Sequence, residues 1–124
     1  MNKPGKRGFT RLKHATVYSL QGLAAAWRYE AAFRLEVVLT LLGLPLAWWL
    51  AQTHIELILL VSSLFWVLVA ELVNSAVEAV VDRTGSELHE LSGRAKDIAS
   101  AVVMVSLAVC IFVWAVIAWH RFMA

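Results

Sequence analysis

Hydrophobic and polar positions divide the chain into four stretches. Over 9–27, Phe9, Leu12, Thr16, Leu20, Leu23 and Trp27 fall within about 80° of one another on a helical wheel, with Arg11, His14, Tyr18 and Gln21 opposite. This pattern predicts an amphipathic helix lying on a membrane surface. A second stretch, 31–51, has Arg34 and Glu36 near its start and only fifteen uninterrupted residues from Val37 to Ala51, with Thr40 the one polar residue among them. It reaches spanning length, about 20 residues, only with its charged first turns, and Pro45 is expected to bend it. The third, 56–84, has an apolar run from Leu57 to Ala70 and becomes a full span by accepting Glu71 to Val81. It is expected to stop near Gly85, a residue suited to a left-handed helix end. The fourth, 93–120, starts at Ser92 or Gly93 and includes 22 residues, Ile98 to Trp119, without a charge. Residues 1–8, with Pro4, two glycines and three basic side chains, read as a mobile arm.

Composition agrees with three membrane spans. The chain has 124 residues, 60% hydrophobic and 16% charged, with mean hydropathy +0.71. It reads as one membrane-embedded domain. Seven of its eleven Lys and Arg residues precede residue 35, three more lie at Arg83, Arg94 and Lys96, and Gln52 to Glu56 contains none. The positive-inside rule therefore predicts a cytoplasmic N-terminus and second loop, with the first loop and C-terminus outside. The basic N-terminus passes into a helix of mixed polarity, so it does not read as a cleavable signal. One cysteine, Cys110, excludes a disulfide framework within the chain, and four dispersed histidines lack zinc-ligand spacing.

Six of the nine acidic residues lie between Glu71 and Asp97. On a helix, Glu71, Asn74, Ser75, Glu78 and Asp82 share a wedge of roughly 100° and a length of about 16 Å. Asn and Ser commonly join membrane helices to one another. An ionised carboxylate costs several kcal/mol in the bilayer and persists where it meets a partner, a cavity or an ion path. Glu71 and Glu78 therefore mark a site, with Glu30 a third acid of interest, although an interfacial Glu beside Arg28 and Arg34 also suits a plain ion pair. Carboxylates with Lys and Arg nearby suit Mg²⁺ plus a polyphosphate. The six dispersed glycines form neither a Walker A loop nor a kinase glycine loop. Side-chain chemistry leaves two classes open, a phosphoryl transferase at the membrane interface and a small proton-coupled transporter.

The stretches GFTR (8–11), YSLQGLAAAW (18–27), EAAFRLE (30–36), ELVNSAVEAVVDRTGSE (71–87) and HELSGRAKD (89–97) resemble, in register, the bacterial integral-membrane diacylglycerol kinases. That superfamily also contains undecaprenol kinases, and EAAFR with HELSGRAKD is more similar to the diacylglycerol branch. Departures fall mainly in lipid-facing segments, including Pro45 and Gln52–Thr53–His54. The resemblance implies an all-α homotrimeric bundle in the bacterial inner membrane, phosphorylating diacylglycerol with ATP and Mg²⁺ and needing no nucleic acid. It implies Glu71 as general base and Glu30 and Glu78 as metal ligands. It further implies Arg11, Tyr18, Glu30, Glu78, Glu87, Leu88, His89, Lys96 and Asp97 at the nucleotide, with Asn74 and Asp82 supporting them. Lipid contacts carried over in the same way are Ala15, Ser19, Ala32, Arg34, Glu36, Glu71 and Ser100.

Overall fold

The computed structural model describes residues 7–85 and 89–123, almost all of them helical. The helices are α1 (Arg7–Tyr29), α2 (Ala31–Leu50), α3 (His54–Arg83) and α4 (Glu90–Met123). The last three are long and apolar enough to cross a membrane. Their side chains fit that solvent, since Trp48, Trp66, Ile111, Phe112 and Trp119 all stand exposed.

Helix limits differ from the sequence expectation where local capping decides them. Arg7 and Gly8, assigned to the arm, form the first turn of α1; the rest of the expected arm lies outside the described residues. α3 begins at His54 rather than residue 56. There the Thr53 hydroxyl accepts the Glu56 N–H at 3.1 Å, while Glu56 Oε1 accepts the Gln52 N–H at 2.7 Å. This is a close variant of the reciprocal Thr-x-x-Glu cap. α4 begins at Glu90 rather than at Ser92 or Gly93, because His89 Nδ1 accepts the Leu91 N–H at 3.0 Å and so caps the first turn. It continues to Met123, three residues past its expected end, with His120 and Arg121 in a last turn that favours positive charge. At the far end of α3, Gly85 takes φ 126°, a region open to glycine.

The fully buried core sits toward the α2–α3 link. Ala47 and Leu50 of α2, Leu60 of α3 and Ile117 of α4 meet there, with Leu57, Val61, Val113 and Trp114 packed around them. Gly43 lets α3 approach α2 closely: a Cβ at that position would stand 2.8 Å from Leu64 Cδ1. α2 continues through Pro45 to Leu50. At its end Arg121 donates to the Leu50 carbonyl at 3.4 Å, and its guanidinium lies 5.5 Å from the Trp49 ring centre.

A polar clasp joins α3 to α4 next to this core. The indole Nε1–H of Trp114 donates to Ser63 Oγ at 3.1 Å, and that hydroxyl donates to the Leu60 carbonyl at 2.8 Å. Ser63→Ala, Trp114→Phe and the double variant, compared by unfolding in mixed detergent micelles, are expected to give a coupling energy of about 0.6–1.7 kcal/mol. Additive single effects would mean that the bond adds nothing to packing.

Candidate active site

Along α3 the polar stripe passes from buried to exposed. Glu71 is 7% exposed, Asn74, Ser75 and Glu78 are half-buried, and Asp82 is open to solvent. Asn74 Nδ2 donates to Glu78 Oε1 at 3.1 Å, a pairing that follows from the one-turn spacing. The Asn74 Oδ1 atom is buried without a hydrogen-bond partner among the described residues, so an acceptor is left to be satisfied there.

Acids from three elements lie within electrostatic reach of one another. Glu36 of α2, Glu78 of α3 and Glu30 between α1 and α2 all lie near enough for their charges to act on Glu71. Beyond Glu78 the sign changes: Lys96 Nζ of α4 lies 2.7 Å from Asp82 Oδ1 and also feels the Glu78 charge. Both partners of this ion pair are largely exposed, so it adds little to stability and Lys96 is free to exchange Asp82 for another anion.

Glu30 is the single residue between two helices. Its backbone is extended at φ −115° and ψ 102°, and its carboxylate makes no hydrogen bond to cap α2. Its N–H still donates to the Ala26 carbonyl at 2.9 Å and its carbonyl already accepts the Arg34 N–H at 3.2 Å. The backbone thus belongs to both helices while the carboxylate remains available.

Beside Glu30 an open groove of about 690 Å³ runs between α1 and α3. Ser19, Gly22, Leu23, Ala25, Ala26, Tyr29 and Glu30 form one wall, and Leu72, Ser75, Ala76 and Ala79 the other. Its volume is that of a small-molecule site. Of the sequence-based candidates it gathers only Ser19, Ser75 and Glu30. The other lining positions were missed: most are small or apolar, and an uncharged wall of an open groove carries no signal of its own in the sequence.

The remaining candidates are distributed as follows. Arg11, Ala15 and Tyr18 are exposed on α1, and among the described residues no hydrogen bond or ion pair joins Arg11 or Tyr18 to α3 or α4. Ala32, Asp97 and Ser100 are exposed near the charged end, His89 caps α4, and Glu87 and Leu88 lie outside the described residues. Arg34 spends its Nη1 group on the carbonyls of Trp27 and Arg28, at 2.7 and 3.1 Å. Among the described residues no three His, Cys, Asp or Glu side chains converge as a metal-binding group. Mg²⁺ commonly takes only one or two protein carboxylates and completes its shell with water and phosphate oxygen, so the uncapped Glu30 and the half-buried Glu78 fit it in number and type.

Residues 17–118 match the family described as prokaryotic diacylglycerol kinase. The chain belongs to that family. It is 51% identical over 115 residues to the diacylglycerol kinase of Escherichia coli K12, covering 93% of this chain and 94% of the relative. The diacylglycerol kinase of Haemophilus influenzae is 52% identical over 107 residues, 86% and 91% of the two chains. That of Pseudomonas aeruginosa is 44% identical over 113 residues, 91% and 92%. The stretch matched to the prokaryotic diacylglycerol kinase family contains the whole acidic cluster and Lys96, and leaves Arg11 and Ala15 outside.

Proposed function

We propose that this chain transfers the γ-phosphoryl group of ATP to the free hydroxyl of diacylglycerol, giving phosphatidic acid, at the cytoplasmic face of the bacterial inner membrane. Family membership makes it a lipid kinase with several membrane spans. The observation that carries the finer reading is the buried Glu71 in one acidic cluster with Glu30 and Glu78, beside a mainly apolar groove. A transporter would use one or two isolated carboxylates near the midplane, whereas here the acids crowd one end beside Lys96.

In this mechanism the lipid enters the α1–α3 groove from the membrane, with its hydroxyl toward Glu71. Glu71 accepts the hydroxyl proton as that oxygen bonds to the γ-phosphorus and the bond from phosphorus to the bridging oxygen of ADP breaks. Glu30 and Glu78 would hold Mg²⁺, which when bound supplies positive charge to the phosphate oxygens. Lys96, released from Asp82, meets the phosphates, and Asn74 orients Glu78 through their hydrogen bond. Arg11, Tyr18, Glu87, Leu88, His89 and Asp97 complete the nucleotide site. Positioning and charge neutralisation are the main contributions in a loose phosphoryl-transfer transition state.

The same proposal places α1 as an amphipathic helix on the cytoplasmic surface, the N-terminus in the cytoplasm and the C-terminus in the periplasm, in a homotrimer forming one membrane-embedded kinase unit. The bias of Lys and Arg toward the first 34 residues supports the orientation. The test is transfer of labelled γ-phosphate from MgATP in mixed micelles, with diacylglycerol and undecaprenol offered in parallel. Label on diacylglycerol is expected. Label chiefly on undecaprenol would reassign the lipid, and label on neither from a folded sample would overturn the kinase chemistry.

A further inference from the structure

The resemblance implies a lipid contact for Arg34; in the structure its Nη1 group donates to backbone carbonyls of α1. The last turn of α1 ends with carbonyls that have no following helical amide to accept, because the chain leaves the helix at Glu30. The Ala26 carbonyl still receives the Glu30 N–H. The next two, of Trp27 and Arg28, are reached by Arg34 Nη1, which donates to both across the joint at 2.7 and 3.1 Å. A cation at this point also meets the negative end of the α1 dipole.

We infer that Arg34 is a positioning residue for the metal site: by clamping the end of α1 to the first turn of α2 it fixes the direction in which the Glu30 carboxylate points. Three observations on one joint carry the inference. Glu30 is the sole residue outside helix between α1 and α2, so any change in the angle between them is taken up at its φ and ψ. Its side chain makes no cap bond, and among the described residues no hydrogen bond or ion pair to the carboxylate orients it. The Arg34 guanidinium spans the joint, bonding α1 from α2 one turn after Glu30.

The inference rests on Glu30 being a metal ligand in the reaction proposed above, and its test separates the two. Arg34→Gln and Arg34→Lys are compared with wild type by steady-state kinetics and by hydrogen–deuterium exchange of the nucleotide-free protein. In Arg34→Gln the KM for MgATP is expected to rise about 10- to 100-fold, the range for loss of a group that orients a metal ligand, while the KM for diacylglycerol stays unchanged. Arg34→Lys keeps a donor within reach of one carbonyl and is expected to restore part of the loss. Faster exchange at the α1–α2 joint in Arg34→Gln is expected without any substrate present. A raised KM for diacylglycerol with an unaltered KM for MgATP would overturn the inference in favour of a lipid contact. Unaltered exchange at the joint would overturn the clamp itself. A wild-type protein without MgATP-dependent lipid phosphorylation would instead remove the reaction, leaving the exchange result to judge the clamp.

Discussion

Glu71→Gln is expected to lower turnover by roughly 10²- to 10⁴-fold, the usual contribution of a positioned general base, and to leave MgATP binding unchanged. The amide has nearly the shape of the carboxylate, so a residue only 7% exposed is replaced without opening a cavity. What disappears is the proton-accepting carboxylate of the proposed mechanism. Initial rates of phosphate transfer, paired with calorimetric titration of MgATP, separate the two effects. Retained turnover with weakened nucleotide binding would move Glu71 from the proton to the metal.

The second large effect is expected at Glu78. Glu78→Gln removes one of two carboxylates assigned to Mg²⁺, and about a 10- to 100-fold rise in the KM for MgATP follows by analogy with other perturbed metal shells. Raising free Mg²⁺ is expected to recover part of the activity. The same titration should do nothing for Glu71→Gln, because its defect is not in metal affinity. Glu78 also accepts from Asn74 at 3.1 Å, so Asn74→Ala is a useful comparison: it leaves the charge and removes the orientation. Equal loss in Glu78→Gln and Asn74→Ala, neither responding to Mg²⁺, would assign Glu78 to structure alone.

Much of the helical layout was legible because a membrane imposes strong rules on sequence. The 22 uncharged residues from Ile98 to Trp119 required a long helix, and Gly85 marked where α3 leaves helical geometry. The shared face of Glu71, Asn74 and Glu78 followed from helical spacing, and the Asn74–Glu78 bond is its direct product. The start of α4 was misplaced because its cap is a histidine, whereas Ser, Thr, Asp and Asn are the usual signals. The start of α3 was readable from Thr53 and Glu56 and was overlooked. Contacts distant in sequence left no periodic trace: Ser63 and Trp114 are 51 residues apart, and nothing in either apolar run marks them as partners. The contacts of Arg34 were hidden for a different reason. The resemblance implies a lipid contact for it, while the partners it has here are backbone carbonyls, which carry no sequence signature.

The length of α3 acts as a ruler against the bilayer. With its capped start at one hydrocarbon boundary, the rise of 1.5 Å per residue puts Glu71 about 26 Å along the helix and Asp82 about 42 Å, against a hydrocarbon thickness of about 30 Å. On that placement Glu71 lies a few ångströms inside the opposite boundary, and Asp82 well beyond it. Membranes differ in thickness by several ångströms, comparable with this margin. A thinner bilayer would bring Glu71 to water, and a thicker one would draw it further into the acyl region or force the helix to tilt. Through the cap that sets where α3 begins, the acyl-chain length of the surrounding lipids would control how wet the Glu71 carboxylate is.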